Sequence, residues 1–136
     1  MKIIVCLDDK NGMMFNHRRQ SKDREVRRDM LSYVGGHNLW MNEYTRKQFE
    51  SVGEYRQIQV NENFPVFAGP EDYCFIENSI YLLNSDMITE IVIYRWNRIY
   101  PSDIQFELDL SQWKLISKNS FIGFSHEKVT REVWKK

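Results

Sequence analysis

Ile91–Trp113 reads IVIYRWNRIYPSDIQFELDLSQW, and it decides the fold because it joins the most strand-like run to the densest group of polar and aromatic residues. Its first four residues are β-branched or aromatic without a break, which is typical of a strand covered on both faces. The polar part that follows predicts a loop binding a planar, partly anionic ligand. Its ligand-binding candidates are Arg95, Trp96, Asn97, Arg98, Tyr100 and Asp103. The alternative is a structural loop in which Asp103 pairs with Arg95 or Arg98.

Composition narrows the possible classes of protein. The 136 residues, 42% of them hydrophobic, predict a single domain over residues 1–136. Lys+Arg and Asp+Glu both number 19, so no overall field attracts nucleic acid or an anionic membrane, and a polyanion site must be a local patch. Cys6 and Cys74 lie in apolar runs, where reduced, buried thiols are expected. The apolar run at the amino terminus is too short for a signal peptide, so we expect a cytoplasmic protein without a membrane-spanning segment.

The first half of the chain alternates strands with helices. Lys2 to Leu7 reads as a central strand, and Asn11-Gly12 begins a segment that we interpret as a mobile loop rather than a hairpin. A helix is predicted from an N-cap at Ser21 to about Tyr33, with Gly35-Gly36 as its stop. A short strand at 38–41 then leads into a helix capped by Asn42 and ended by Gly53.

Strands dominate the second half. The predicted strands are Tyr55–Val60, Tyr73–Ile76, Ile91–Tyr94, Ile104–Leu108, Trp113–Ser117 and Val129–Trp134. The prolines at 65 and 70 predict a loop over residues 61–72, and at most one helical turn is expected at 79–83. The last three strands are expected to be adjacent at one edge of the sheet. The fold class is therefore α/β, a central mixed sheet flanked by helices.

A second group of polar residues precedes the first predicted helix. In an α/β sheet, ligands bind outside the carboxyl ends of the strands, so the loop after Leu7 should face the loop after Tyr94. This arrangement adds three further ligand-binding candidates, Asn16, Arg18 and Arg19, and two catalytic candidates, His17 and Asp23. Met13, Met14 and Phe15 would form an adaptable apolar wall of the same pocket.

The order of these elements resembles a dihydrofolate reductase. Phe15-Asn16 after the first strand is similar to that family's flexible active-site loop, and Leu39–Thr45 resembles its strand and helix start that contact cofactor phosphates. Tyr94, Asp103, Phe106 and Trp113 follow at spacings similar to the family's late strand, long loop and Asp-x-x-Phe motif with a later Trp. The chain thus resembles a shortened and altered member of the family.

The resemblance implies a pterin-binding carboxylate, for which Asp23 or Glu25 is nearest, and an NADPH site, of which Thr45 alone survives. The family's Trp-Pro pair is absent. Its Gly-Gly pair is replaced by Glu77-Asn78, and its phosphate-binding Gly-Arg pair by Asn42-Glu43. Because carboxylates repel a diphosphate, these replacements predict that NADPH binds weakly or not at all.

Other chemistries find less support in the sequence. The histidines at 17, 37 and 126 are scattered and without HExxH spacing, so no metal site is predicted. Ser21, Ser102 and Ser125 lack a G-x-S-x-G setting, so a serine nucleophile is not expected. A small metal-independent nuclease would use His17 or His126 with Arg95, Arg98 and Asp103.

Three classes of function therefore stay open, and the sequence does not decide whether the chain is an enzyme. The leading hypothesis is a dihydrofolate reductase-like protein that binds a nucleotide- or pterin-like small molecule, with or without reductase activity. The second is a non-catalytic interaction or inhibitor protein whose arginine-rich surface binds protein or nucleic acid. The third is the small nuclease.

Overall fold

The computed structural model describes residues 1–52, 55–82 and 85–136. Its strands are β1 (Lys2–Leu7), β2 (Gly12–Phe15), β3 (Arg18–Arg19), β4 (Leu39–Met41), β5 (Ile58–Val60), β6 (Tyr73–Phe75), β7 (Glu90–Arg95), β8 (Ile104–Gln105), β9 (Lys114–Phe121) and β10 (Val129–Lys135). Its helices are α1 (Arg24–Val34), α2 (Glu43–Arg46) and α3 (Phe64–Phe67), with 3₁₀ turns at Lys47–Val52, Ser79–Tyr81 and Ser85–Met87.

A mixed seven-stranded sheet forms the centre of the fold, in the order β5-β4-β6-β1-β7-β10-β9. The first five strands of this order run parallel, whereas β10 is antiparallel to both β7 and β9. β1 and β7 lie inside the sheet as predicted, and Ile4 and Val92 are fully buried. The predicted α/β class, with a central mixed sheet, is confirmed.

Both faces of this sheet are covered, which explains the unbroken apolar runs of its inner strands. Ile4 packs with Met30 of α1 and with Phe49 in one core cluster. Its neighbours Ile3 and Val5 point to the opposite face, where Met13 and Phe64 belong to the second cluster. The alternation of β1 side chains thus joins the two cores.

The start of α1 differs from the prediction. Asp23, rather than Ser21, is the N-cap, and its carboxylate accepts from the backbone N–H of Glu25 at 2.8 Å. The helix ends at Val34, and Gly35 follows with φ 58°, as expected of a glycine stop. Asp23 rather than Ser21 is the cap because its carboxylate also accepts hydrogen bonds from backbone N–H groups of the loop between β9 and β10. Several partners therefore hold the Asp23 side chain in the rotamer that caps the helix.

The segment interpreted as a mobile loop is a hairpin, so that prediction was wrong. β2 pairs with β3 on one side and with β8 on the other, forming a small three-stranded sheet. Asn16 and His17 make the turn with φ of 51° and 63°, a left-handed conformation in which Asn and His are enriched. β8 was also misplaced: it pairs with β2, and only β9 and β10 form the antiparallel edge.

Two further segments differ from the prediction. Asn42 caps α2 as predicted, accepting from Thr45 N–H at 2.9 Å, but the α-helix ends at Arg46 and continues as a 3₁₀ turn. The predicted end at Gly53 lies outside the described residues. The proline-containing loop includes α3, in which Pro65 stands in the first turn, where a missing N–H costs nothing.

Candidate functional site

Four parallel strands end at the same edge of the sheet, and the loops after β1 and β7 meet there as predicted. Asp8 follows β1, Asn42 follows β4, Glu77 follows β6 and Trp96 follows β7. The β2–β3 hairpin packs over this edge. Three groups of side chains result: one around Asp8, one around Glu77 and one around His126.

Asp8 connects the hairpin with the loop after β7. Its buried carboxylate accepts from the backbone N–H groups of Lys10, Gly12 and Tyr100 and from the amide of Gln20, at 2.7 to 3.1 Å. Burial favours the protonated acid, but these hydrogen bonds outweigh it, so the pKa of Asp8 lies below its usual value. Asp8 therefore holds the hairpin against the loop after β7, a role that no pattern in the sequence indicated.

Glu77 is the acceptor at the centre of the second group. Arg19 donates to it from Nε at 2.8 Å and from Nη2 at 3.0 Å, a bidentate ion pair whose side chains are 19% and 9% exposed. Thr45 donates its hydroxyl at 2.9 Å and Gln48 its amide at 3.2 Å, both to Oε1. The Arg19 guanidinium also lies 4.3 Å from the centre of the Tyr44 ring. This group fixes the hairpin to α2 and β6.

Two cavities border the hairpin. The first, about 210 Å³, is lined by Met14, His17, Asn42, Tyr44, Thr45, Glu77, Asn78, Ile80 and Tyr81. The second, about 270 Å³, is lined by Phe15, Asn16, Arg18, Arg19, Gln20, Tyr100 and Pro101. We call them the Glu77 cavity and the Tyr100 cleft. The hairpin contributes side chains to both.

The third group connects the start of α1 with the loop between β9 and β10. His126 is buried, and its Nδ1 lies 2.8 Å from Oδ2 of Asp23. Its Nε2 lies 3.0 Å from both Ser21 Oγ and Tyr100 Oη. Trp96 stacks on the imidazole with ring centroids 4.6 Å apart. The imidazole is therefore fixed on both nitrogens and on one face.

The Asp23 carboxylate accepts several bonds besides that of His126. The backbone N–H groups of Phe124 and Ser125 donate to it at 2.8 and 2.9 Å, and so does that of Glu25. Burial would raise the pKa of Asp23, but the bonds from His126 and from these N–H groups hold it well below its usual range. Asp23 is therefore an ionised carboxylate inside the fold.

The predicted ligand-binding residues do not form one group. Asn16, Arg18, Arg19 and Tyr100 line the Tyr100 cleft, and Asp103 accepts from the N–H of Asn16 at 3.0 Å. Arg95 instead pairs with Glu132, and Asn97 donates to Lys128 O and Thr130 Oγ1. The Arg98 guanidinium lies 5.6 Å from the centre of the Tyr100 ring.

The aromatic and catalytic candidates also separate. Trp96, expected to stack on a ligand, is buried against His126. His17 is exposed at the hairpin turn and lines the Glu77 cavity, whereas Asp23 bonds to His126, a partner that the sequence analysis did not assign to it. Because 103 positions separate that pair in the chain, no spacing pattern signals it.

The backbone donors at the start of α2 are satisfied by the protein itself. Glu62 accepts from the N–H of Glu43 at 2.9 Å, and Asn42 accepts from that of Thr45. The Glu43 carboxylate pairs with Arg46, and Thr45, the predicted cofactor-binding residue, donates its hydroxyl to Glu77. These donors at the start of α2 are therefore already bonded to side chains of the same chain.

Neither a metal-binding cluster nor a membrane-spanning helix occurs in the described part of the chain. Within residues 1–52, 55–82 and 85–136, no three His, Cys, Asp or Glu side chains are grouped so that they could bind a metal ion. Across the same ranges, no helix has the length and apolar character needed to cross a membrane.

Comparison with solved structures identifies the fold. Dihydrofolate reductase from Enterococcus faecalis, in a complex with NADP(H) and RAB-propyl, superposes with a TM-score of 0.71 at 9% identity, covering 98% of this chain and 94% of that chain. No protein-family model matches the chain, and no curated protein does. The chain therefore has a dihydrofolate reductase-like fold, which by itself does not define an activity.

Proposed function

We propose that this protein binds a small planar heterocycle in the Glu77 cavity and does so without a dinucleotide cofactor. The single observation that carries the proposal is Glu77 itself, an internal carboxylate at the end of β6 that lines a cavity and pairs with Arg19. The dihydrofolate reductase-like fold supports a small-molecule site at this edge of the sheet.

The lining of the cavity suits a flat ring. Tyr44 and Tyr81 contribute aromatic surfaces, and Met14 and Ile80 contribute apolar side chains. Aromatic and thioether groups bind planar ligands through stacking and dispersion. A volume of about 210 Å³ accommodates one heterocycle and is too small to enclose a whole dinucleotide.

The polar groups of the cavity select a ligand with N–H donors. Oε1 of Glu77 accepts three bonds, whereas Oε2 accepts only that from Arg19 Nε among the described residues. An ionised carboxylate offers about four acceptor sites, so Oε2 retains capacity for a ligand N–H. Asn78 lines the cavity, and because its Oδ1 already accepts from the N–H of Ile80, its amide nitrogen is the group left to donate to a ligand acceptor. Pterin and guanine rings present an N–H donor beside a carbonyl acceptor, and aminopyrimidine presents an N–H donor beside a ring-nitrogen acceptor.

The same contacts argue against NADPH. Arg19 and Thr45, the cation and the hydroxyl nearest to Glu77, already bond to its carboxylate. The N–H of Glu43 bonds to Glu62. A diphosphate would have to displace two carboxylates and would be repelled by their negative charge. The free-energy cost of this displacement and repulsion exceeds the stabilisation from the bonds that the diphosphate would gain. The residues present therefore do not fit the dinucleotide.

The test is a thermal-shift panel of pterin, guanine, 2-aminopyrimidine, adenine and dihydrofolate on the wild-type chain and on Glu77→Gln. A ligand at 100 times its Kd stabilises the native state by about 2.7 kcal/mol, so a matching ring raises Tm by several degrees. Glu77→Gln should weaken that binding by about 1.5–3 kcal/mol, because one charge-assisted bond is lost.

Glu62→Gln is the matched control, because Glu62 is a carboxylate that bonds to α2 without lining the cavity. It should leave the ligand-induced shift unchanged. The proposal is wrong if no ring with adjacent donor and acceptor groups shifts the wild-type Tm, or if both glutamine variants weaken binding equally.

A further inference from the structure

Ser21, His126 and Asp23 form a continuous hydrogen-bonded relay drawn from distant parts of the chain. Asp23 Oδ2 lies 2.8 Å from His126 Nδ1, and His126 Nε2 lies 3.0 Å from Ser21 Oγ. The side chains of Asp23 and His126 are 0% and 3% exposed, whereas Ser21 is partly exposed. The carboxylate and imidazole are thus removed from water, and the hydroxyl is the member nearest to the surface.

The partners of Asp23 determine which group donates and which accepts in each hydrogen bond of the relay. Every other partner of the Asp23 carboxylate is a donor, namely three backbone N–H groups and the Ser125 hydroxyl, so Asp23 is an acceptor. We therefore assign the imidazole proton to Nδ1, which leaves Nε2 as a lone-pair acceptor. Two hydroxyls, from Ser21 and Tyr100, lie within bonding distance of that single lone pair. When Ser21 donates to Nε2, the Tyr100 proton is available to another acceptor.

We propose that Ser21 is a nucleophile, activated by His126 and positioned by Asp23, in a site that hydrolyses small carboxylic esters. Ser21 Oγ attacks the ester carbonyl carbon while His126 Nε2 takes its proton. The same proton then passes to the leaving alcohol oxygen as the ester C–O bond breaks. Water hydrolyses the acyl-serine by the reverse sequence, so one ester and one water give one acid and one alcohol.

Tyr100 and its surroundings supply the remaining parts of such a site. Its free hydroxyl proton can donate to the carbonyl oxygen as negative charge develops there. Tyr100 and Gln20, the residue before Ser21, both line the Tyr100 cleft of about 270 Å³, so this cleft lies beside the relay, although Ser21 itself is not part of its lining. The cleft is distinct from the Glu77 cavity, so this proposal does not depend on the proposed heterocycle site.

The first test is labelling of the wild-type chain with a fluorophosphonate probe, followed by peptide mass spectrometry. We expect one adduct, on Ser21. Ser21→Ala should abolish it, and His126→Gln should slow it by at least about 100-fold, the usual minimum contribution of a general base. Ser111→Ala is the control, because Ser111 is an exposed serine outside the relay. It should keep the adduct.

The second test measures hydrolysis of p-nitrophenyl acetate. Asp23→Asn should lower kcat and leave KM unchanged, because the change alters the imidazole tautomer rather than the cleft. Absence of an adduct on the wild-type protein would overturn the proposal. This result does not depend on whether any variant folds. An adduct on another residue, or equal hydrolysis by the Ser21→Ala and wild-type chains, would overturn it as well.

Discussion

Gly123 permits the close approach of the β9–β10 loop to Asp23. A Cβ at this position would lie 2.7 Å from Asp23 Oδ2 and 2.9 Å from the carbonyl oxygen of His126. Both distances are shorter than side-chain contacts allow, and the carbonyl is backbone that cannot rotate away. The loop can therefore donate its two N–H groups to Asp23 only with glycine at 123.

Gly123→Ala should lower the free energy of unfolding by about 1–3 kcal/mol, the usual cost of forcing extra atoms into a packed site. Gly36→Ala is the control, since a Cβ added at Gly36 would have no other atom within 4 Å. It should change stability by less than about 1 kcal/mol. Urea denaturation of both variants measures the difference, and equal losses would contradict the packing described around Asp23.

The low pKa of Asp23 predicts a loss of stability in acid. Because the folded pKa is below the unfolded value of about 3.9, the carboxylate stabilises the fold above that pH and stops doing so as the pH falls towards the folded pKa. Asp23→Asn should cost about 3 kcal/mol or more at pH 7, and the gap to the wild-type chain should narrow below pH of about 4.

Asp9→Asn serves as the comparison for that measurement, because Asp9 is an exposed carboxylate of the same type. Its unfolding free energy should stay within about 0.5 kcal/mol of the wild-type value. A gap between the Asp23→Asn and wild-type chains that is constant from pH 7 to pH 2 would show that the ionised form is not what stabilises the fold.

The two cysteines should resist modification in the native state. Burial raises the pKa of Cys74 to about 12 and that of Cys6 well above its usual range. Since the thiolate is the reactive form, Ellman's reagent at pH 8 should react with neither thiol before unfolding and with both in denaturant. Rapid reaction of the folded chain would contradict the burial of β1 and β6.

At the scale of elements, the Arg19–Glu77 ion pair connects the β2–β3 hairpin to the loop after β6. Arg19→Ala removes one partner of a largely buried pair, which costs about 3–5 kcal/mol and leaves Glu77 unpaired. Hydrogen exchange should therefore show loss of protection across the hairpin amides. Arg18→Ala, the exposed neighbour, is the control and should leave the hairpin protected; identical exchange in both variants would be evidence against the tie.

The inner strands should dominate stability. Ile93 is fully buried in β7, so Ile93→Ala should cost about 2–5 kcal/mol of unfolding free energy. Ile116 on the edge strand β9 is 56% exposed, and Ile116→Ala should cost less than about 1 kcal/mol. Comparable losses in the two variants would contradict the strand order.

The sequence predicted those elements whose conformation is determined by residues close to one another in the chain. The unbroken apolar runs of β1 and β7, the Asn42 cap and the Gly35 stop all act within a few residues, so the sequence was sufficient for them. β2, β3 and the partner of β8 could not be found in this way, because β3 has two residues and β8, predicted as a strand over Ile104–Leu108, follows β2 by about 90 positions. The candidate site was predicted least well, since the Asp23–His126 and Arg19–Glu77 pairs exist only after the sheet has formed.

At the scale of the whole molecule, this dihydrofolate reductase-like fold has two carboxylates, Glu77 and Glu62, bonded to internal donors near the carboxyl edge of its sheet. Glu77 bonds to Arg19 and Thr45, and Glu62 bonds to the backbone N–H of Glu43. The similar solved structure is a complex with NADP(H). For this chain we propose instead a smaller and less anionic ligand, because donors at this edge already bond to internal carboxylates.

Isothermal titration calorimetry of NADPH into the wild-type protein tests this account most directly. Because two internal carboxylates must be displaced before a diphosphate can bind, we predict no saturable heat up to an NADPH concentration of about 1 mM, which corresponds to a binding free energy weaker than about −4 kcal/mol. Saturable binding with a Kd of about 1 μM or tighter would contradict the account.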